Sequence, residues 1–307
     1  MSVSVSVITP LYNSSPFIER TLDSLLDQSY ADWECILVDD GSTDATPEKV
    51  APYLSDSRFR YVTQTNQGIA EARNTGVRLA RGTWIALLDH DDRWASTKLD
   101  RQLEFAARHD CGIVCSDGTI VRGKERFPFS DWIPPELREQ VERSVEPGVD
   151  TFGLLIRVNF LCASSVIVHR SALERCGYFD VAAAPADDYD LWLRCMPEAR
   201  IGFLPERLVE YVIHGSNFSK KTILLREKAI RALLRTMQRN SDDPLRARQC
   251  QEAVRMHCEL LFSELLQGRR YAALLSRSLS LSVGGRSVFR LVLPALWRSV
   301  KEARPTQ

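Results

Sequence analysis

A chain of 307 residues is long enough for one large domain or two ordinary ones. Hydrophobic residues make up 44% and charged residues 26%, which supplies a substantial core and excludes wholesale disorder. Forty basic side chains balance forty acidic ones, without the basic excess of a generic nucleic-acid binder, so no nucleic-acid partner is expected. The balance hides a split. Residues 1–219 hold 22 Lys and Arg against 33 Asp and Glu, whereas residues 220–307 hold 18 against 7. Two units with different roles follow from that asymmetry.

The opening MSVSVSVITP alternates Val3, Val5 and Val7 with serines and reads as a first strand rather than a secretory leader. A turn at Tyr12–Ser15 leads to Pro16, placed as the first residue of a serine-capped helix whose apolar face carries Leu22, Leu25 and Leu26. The pattern then repeats. Residues 33–38 form a nearly continuous apolar strand, as expected where both sheet faces are covered. DDGSTDATPEKV turns into a helix capped near Thr43 or Asp44, and 59–62 is a third strand. A helix over 68–80 ends at Gly82, a strand covers 83–88, a helix 96–108 and a strand 112–115. This alternation predicts a doubly wound, mostly parallel α/β sheet.

Periodicity fades over 117–150, a Pro-rich and charged stretch read as a long substrate-facing loop with a helical piece. Regular structure returns with a strand over 163–168, helices over 170–176 and 187–196, and a last strand over 208–213. Beyond 220 the chain is helical and rich in Leu and Arg. Domains are therefore expected at 1–116, 117–219 and 220–307. The eight cysteines form no CxxC pair and read as free, mostly buried thiols of a reducing compartment. No apolar run reaches the roughly 18–20 residues of a transmembrane helix.

In a doubly wound sheet ligands bind beyond the carboxyl ends of the strands. Three polar clusters fall there: Thr9-Pro10-Leu11-Tyr12-Asn13, Asp39-Asp40-Gly41-Ser42 and Asp89-His90-Asp91-Asp92. Neither GxGxxG nor GxxxxGK[ST] occurs, so the familiar phosphate loops are not the device. DHDD offers another. Crowded carboxylates repel, and a hard divalent cation, Mg²⁺ or Mn²⁺, relieves the repulsion while leaving coordination places for phosphate. The alternative is a solvated turn that caps the next helix, with the His90 ring turned away. Asp39 and Asp40 suit a nucleobase or ribose, or else a simple DG turn. Arg73 suits a phosphate, or a surface ion pair. Asp187 and Asp188 start a helix, where acids also favour the macrodipole; Asp188 and Asp190 lie on different faces and cannot share a job. His214 follows a strand and is either a metal or phosphate ligand or a structural histidine.

Taken in order, SVITPLYN, LLDQSYADWECILVDDGSTD, NQGIAEARNTG, GTWIALLDHDD, SSVIVHRSALERCGYFD, DDYDLWLRC and YVIHGSNFS resemble the family 2 glycosyltransferases, inverting enzymes of the GT-A fold. The resemblance covers residues 3 to about 219. It implies that Thr9, Pro10, Tyr12, Asn13, Asp39 and Asp40 surround the nucleoside and that Arg73 lies near the nucleotide. Asp89 and Asp91 match the DxD motif, with Asp91 on the metal, Asp89 approaching the ribose and counted with it among the metal ligands, and Asp92 extending it. Asp188 resembles the catalytic base, Asp187 stands where the family usually has Glu, and His214 resembles a ligand of the metal or diphosphate. The implied reaction moves a sugar from a nucleotide-diphosphate donor, UDP-sugar favoured, to a glycan or lipid-linked saccharide in surface polysaccharide synthesis, with Mn²⁺ or Mg²⁺. Rival readings are a nucleotidyltransferase, although TPLYNSS lacks that class's Gly-rich basic loop, and a non-catalytic nucleotide-sugar-binding or scaffold protein.

The final stretch, SVGGRSVFRLVLPALWRSVKEAR, mixes aromatic and aliphatic residues with Arg and Lys. It suits an amphipathic helix kinked at Pro294 on an anionic membrane, or else a basic helix packed on protein or a dimer contact. A cytoplasmic location, with peripheral contact at the inner membrane face, is the expectation. Oligomeric state is left open.

Overall fold

The first two strands are buried at every position, β1 (Val5–Leu11) and β2 (Trp33–Asp39), because helices cover both faces of the sheet they build. The computed structural model describes residues 3–215 and 222–267, together with the backbone pairing of 282–283 with 286–287. The chain divides into two compact units, Met1–Asn217 and Phe218–Gln307.

In the first unit, α1 (Ile18–Leu26), α2 (Thr46–Val50) and α3 (Ile69–Leu79) connect β1, β2, β3 (Phe59–Thr63) and β4 (Trp84–Leu87). The pairings β3–β2, β2–β1 and β1–β4 are all parallel. α3 sits so close to β1 that a Cβ on Gly76 would lie 2.4 Å from Ile8 Cγ2. After β5 (Arg93–Trp94) and α4 (Lys98–His109) come β6 (Ile113–Arg122), β7 (Glu125–Pro128), α5 (Pro135–Glu142) and α6 (Thr151–Arg157). Then follow β8 (Val166–His169), α7 (Arg170–Cys176), α8 (Asp187–Cys195) and β9 (Ile201–Val212). The sheet order is β3-β2-β1-β4-β8-β6-β9-β5, with β7 on β6. Beyond β4 the pairing is mixed: β4–β8, β8–β6, β6–β7 and β5–β9 are antiparallel and β6–β9 is parallel. The parallel character expected from the alternation thus belongs to the first half. One sheet joins the expected 1–116 and 117–219 halves, since β8 lies between β4 and β6.

Several boundaries differ from expectation for local reasons. α1 is headed by Phe17, not Pro16; the Ser14 carbonyl accepts the Phe17 and Ile18 amides, and Leu26 is exposed. The stretch read as a loop from 117 contains the rest of β6 and a hairpin to β7, with Arg122 opposite Glu125 and Gly123 at φ +59. A glycine at the first of two loop positions is the type II′ pattern, hidden here by flanking charge. β9 begins at Ile201, seven residues before the expected strand, because Pro205-Glu206-Arg207 interrupts its apolar pattern at a register shift against β6. All eight cysteines are free thiols, six of them buried.

The second unit contains α9 (Thr222–Arg239) and α10 (Pro244–Gln267), with Ile230, Leu233 and Leu234 of the former and Val254, Leu261 and Leu265 of the latter buried. Arg226 pairs with Glu264 at 2.6 Å. Ser282–Val283 and Arg286–Ser287 form a short antiparallel pair around Gly284-Gly285, so the expected terminal helix does not begin at Ser282. The rest of that helix, and the membrane contact read from it, lie outside the described residues. Among the described residues no helix is long and apolar enough to cross a membrane.

Candidate active site

The loops after β1, β2 and β4 leave the same edge of the sheet, since these strands are parallel. The first two are stitched together. Asn13, at φ +50, accepts the Thr43 amide at 2.8 Å and donates its own amide to Ser42 Oγ at 3.0 Å. Ser14 donates its amide to Thr46 Oγ1, and Ser15 to Asp44, which also holds the first turn of α2. Asp39 accepts the Ser42 amide at 2.7 Å and the Tyr61 hydroxyl. Asp40 accepts Gln64 Nε2 and the Gln67 and Gly68 amides, each at 2.8 Å, fixing the approach to α3.

The six residues expected around a nucleoside therefore differ in placement. Thr9 is fully buried with its hydroxyl against Cys35, and Pro10 is buried within β1. Asp39 and Asp40 are buried and bonded within the chain. Asn13 spends its side-chain oxygen on Thr43, whereas Tyr12 is 49% exposed at the rim. Asp40 thus holds the backbone that leads into α3, whereas the Thr9 hydroxyl meets the Cys35 sulfur.

Arg73 is 4% exposed and lies between two acid clusters. Its Nη2 donates to Asp89 at 2.8 Å and its Nη1 to Asp187 at 2.9 Å. Burial alone would lower the Arg73 pKa, but the charges of Asp89, Asp187 and Asp188 outweigh it and push it above the ordinary arginine value. Of the two readings of Arg73, the structure shows an ion pair, buried rather than on the surface: both terminal nitrogens face carboxylates. α3 is further tied to the segment before α8 by Asn74, whose amide pairs with the Phe179 backbone at 2.9 Å in both directions.

Asp188, in the first turn of α8, is half-buried and accepts the Tyr189 amide at 2.6 Å. Burial and the adjacent Asp187 raise its pKa to about 7, against the opposing charge of Arg73. That value suits a proton acceptor working near neutrality. Asp190 is buried on Arg194 instead, so the two acids have separate surroundings as their helix spacing requires.

The DHDD loop is held from below. Ser164 Oγ accepts the Asp89 amide at 3.1 Å and donates to Asp92 at 2.5 Å, while Asp92 also accepts the Val212 amide at 3.1 Å. Asp92 is wholly buried; burial, then Asp91 and Asp89, raise its pKa well above the carboxylate range. It is a strut rather than an open extension of the motif. Asp91 meets His214 instead, Oδ2 to Nε2 at 2.6 Å, and the His214 ring stacks on Phe17 at 4.2 Å. His90 contributes its carbonyl, which accepts the Thr21 hydroxyl. Ser164 and Phe17 were not assigned roles from sequence: a serine in CASSVIV and a phenylalanine at a helix start carry no signal of partners so distant in the chain.

The family model described as glycosyl transferase family 2 matches residues 6–177. A putative teichuronic acid biosynthesis glycosyltransferase, TuaG of Bacillus subtilis, is 44% identical over 140 residues, covering 41% of this chain and 56% of that protein. The matched stretch thus spans just over half of that relative. The Escherichia coli protein named UDP-Glc:alpha-D-GlcNAc-diphosphoundecaprenol beta-1,3-glucosyltransferase WfgD is 30% identical over 198 residues, 64% of this chain and 71% of that one. The mannosyltransferase PcManGT of Pyrobaculum calidifontis, solved with GDP-Man and Mn²⁺, superposes with a TM-score of 0.62 at 20% identity, covering 98% of this chain and 88% of that one. The shared architecture is the GT-A fold.

Proposed function

This chain belongs to glycosyl transferase family 2, and from that premise we propose that it is an inverting, metal-dependent glycosyltransferase using a nucleotide-diphosphate sugar. The observation that carries the reading is the buried Arg73, which joins Asp89 of the DHDD loop to Asp187 beside Asp188. One cation thereby fixes the donor-side acid relative to the residue that acts as base.

Asp188 accepts the proton of an acceptor hydroxyl, which attacks the anomeric carbon from the face opposite the diphosphate. A single displacement inverts the configuration and needs no covalent intermediate. Its pKa of about 7 leaves the carboxylate available at neutral pH and strong enough to take that proton. Tyr12, exposed beside the stitched loops, would cover the nucleoside, and its exposure supports that role.

The residues present fit a divalent ion. Asp91 Oδ2 and His214 Nε2 lie side by side, hydrogen-bonded at 2.6 Å, and a small opening of that pair would present an oxygen and a nitrogen ligand to Mn²⁺. Two protein ligands would leave coordination places for the oxygens of the diphosphate. When bound, such an ion supplies neutralisation of the charge growing on the leaving group. PcManGT was solved with Mn²⁺, which supports this choice.

A UDP-sugar is the favoured donor and a glycan or lipid-linked saccharide the favoured acceptor, in surface polysaccharide synthesis. The names of TuaG and WfgD support that context. The test is Asp188→Asn: sugar transfer is expected to be lost while nucleotide-diphosphate binding persists, and transfer at the wild-type rate would overturn the assignment.

A further inference from the structure

α1 is amphipathic, yet the face it buries carries a run of polar groups. Thr21, Ser24 and Gln28 are 1%, 9% and 7% exposed. With Phe17 they lie at helical spacings of four, three and four residues, which puts them on one side of the helix. Each reaches the same neighbouring segment or its partner. Thr21 Oγ1 donates to the His90 carbonyl at 2.8 Å, inside the DHDD loop. Ser24 Oγ accepts the Trp94 amide at 3.2 Å. Just beyond the helix, Gln28 donates to the Ala95 carbonyl at 2.7 Å and accepts the Leu99 amide at 3.2 Å. Phe17, heading the helix, stacks on the His214 ring at 4.2 Å with 27° between the planes.

We propose that this stripe makes α1 a splint for the metal-side pair, with Phe17 and Thr21 as positioning residues that set Asp91 and His214 against each other. The inference rests on the metal-dependent reading above and adds residues on a different element. The physical reason is that Asp91 and His214 come from distant loops. Keeping these two side chains hydrogen-bonded at 2.6 Å, where they could turn to one ion, needs both loops fixed. Asp92 fixes one end of the arrangement by accepting the Val212 amide, two residues before His214. That bond holds the backbone but does not set the side-chain torsions of the imidazole. The Phe17 ring restrains those torsions by lying across the imidazole face, where aromatic contact has a preferred geometry. Thr21 does the complementary task for Asp91 by pinning the carbonyl of the residue before it. Both positioning contacts come from adjacent turns of one helix, so they move together. α1 also follows directly from the loop that carries Tyr12 and Asn13. The splint therefore sets the metal side in register with the nucleoside side.

The test measures Mn²⁺ binding in the presence of UDP, by loss of the free-ion electron paramagnetic resonance signal, for five variants beside wild type. Phe17→Leu and Thr21→Val keep apolar bulk but lose the ring face and the hydroxyl; each is expected to weaken Mn²⁺ about tenfold, the low end for residues that orient metal ligands. Phe17→Tyr and Thr21→Ser retain those groups and are expected to restore near-wild-type affinity, a rescue that a bulk packing role would not give for the smaller serine. Asp91→Asn is the reference for loss of a ligand. Wild-type Mn²⁺ affinity in both Phe17→Leu and Thr21→Val, with Asp91→Asn impaired, would overturn the splint and leave the metal reading standing. Unchanged affinity in Asp91→Asn would instead sink the metal reading and the splint with it.

Discussion

Asp89 and Asp187 share one guanidinium: Arg73 reaches the first at 2.8 Å and the second at 2.9 Å while remaining 4% exposed. The relationship links the carboxyl end of β4 to the start of α8 through a residue of α3. A charge this buried is held in place by its partners, and removing either side leaves an uncompensated charge.

Arg73→Ala should therefore destabilise the fold by about 3–5 kcal/mol in chemical denaturation, the usual cost of breaking a buried pair. Arg73→Lys keeps the charge but not the two-armed geometry. It is expected to retain more stability than Arg73→Ala and still lose most of the transfer activity. Equal activity in the Arg73→Lys variant and wild type would show that the bridge does not position the two acids.

Asp188 gives a pH signature in two quantities. Its pKa is raised to about 7, so kcat/KM should rise with pH below that value and level off above it. Stability runs the other way. Above the ordinary aspartate pKa the unfolded chain has released this proton while the folded chain still holds it, so folding stability falls as pH rises toward 7. Asp188→Asn removes that fall and should be more stable than wild type at pH 8, though inactive. A thermal melt of both proteins at pH 5 and pH 8 checks the sign.

Ser164→Ala removes a hydroxyl that accepts the Asp89 amide and donates to the buried Asp92. Leaving such groups unsatisfied typically costs about 1–3 kcal/mol. The loss should appear in denaturation and be accompanied by weaker Mn²⁺ binding, because the DHDD loop loses its floor. Ser164→Cys or Ser164→Thr, with a hydrogen-bonding group retained, should lose less.

Gly76→Ala tests the packing under the site. The added Cβ would meet Ile8 Cγ2 at 2.4 Å, so α3 must shift. Overpacking of this kind costs about 1–3 kcal/mol. Since α3 carries Arg73, activity should fall more than stability alone explains.

The parallel half of the sheet was legible because its short strands are rich in Val, Ile and Leu and its helices are marked off by Gly68 and Gly82. The β6–β7 hairpin was not, since Arg122, Lys124 and Glu125 dilute the alternation around Gly123. The acid clusters were legible as clusters, but their internal division of labour was not. Asp91 and Asp92 are neighbours of one type, yet one meets His214 and the other is sealed beneath Ser164. Only long-range pairing separates them. Arg73 likewise read as either a phosphate partner or a surface ion pair, because sequence spacing cannot reveal a carboxylate that lies on a helix more than a hundred residues away.

The most direct test is calorimetric titration of UDP, GDP, CDP and dTDP into the protein, each with Mn²⁺ and with EDTA, repeated on Asp91→Asn. The account predicts that one diphosphate, UDP foremost, binds with Mn²⁺, and that binding weakens strongly in EDTA and in the variant. Binding of none of the four, or equal binding with and without the ion, would contradict it.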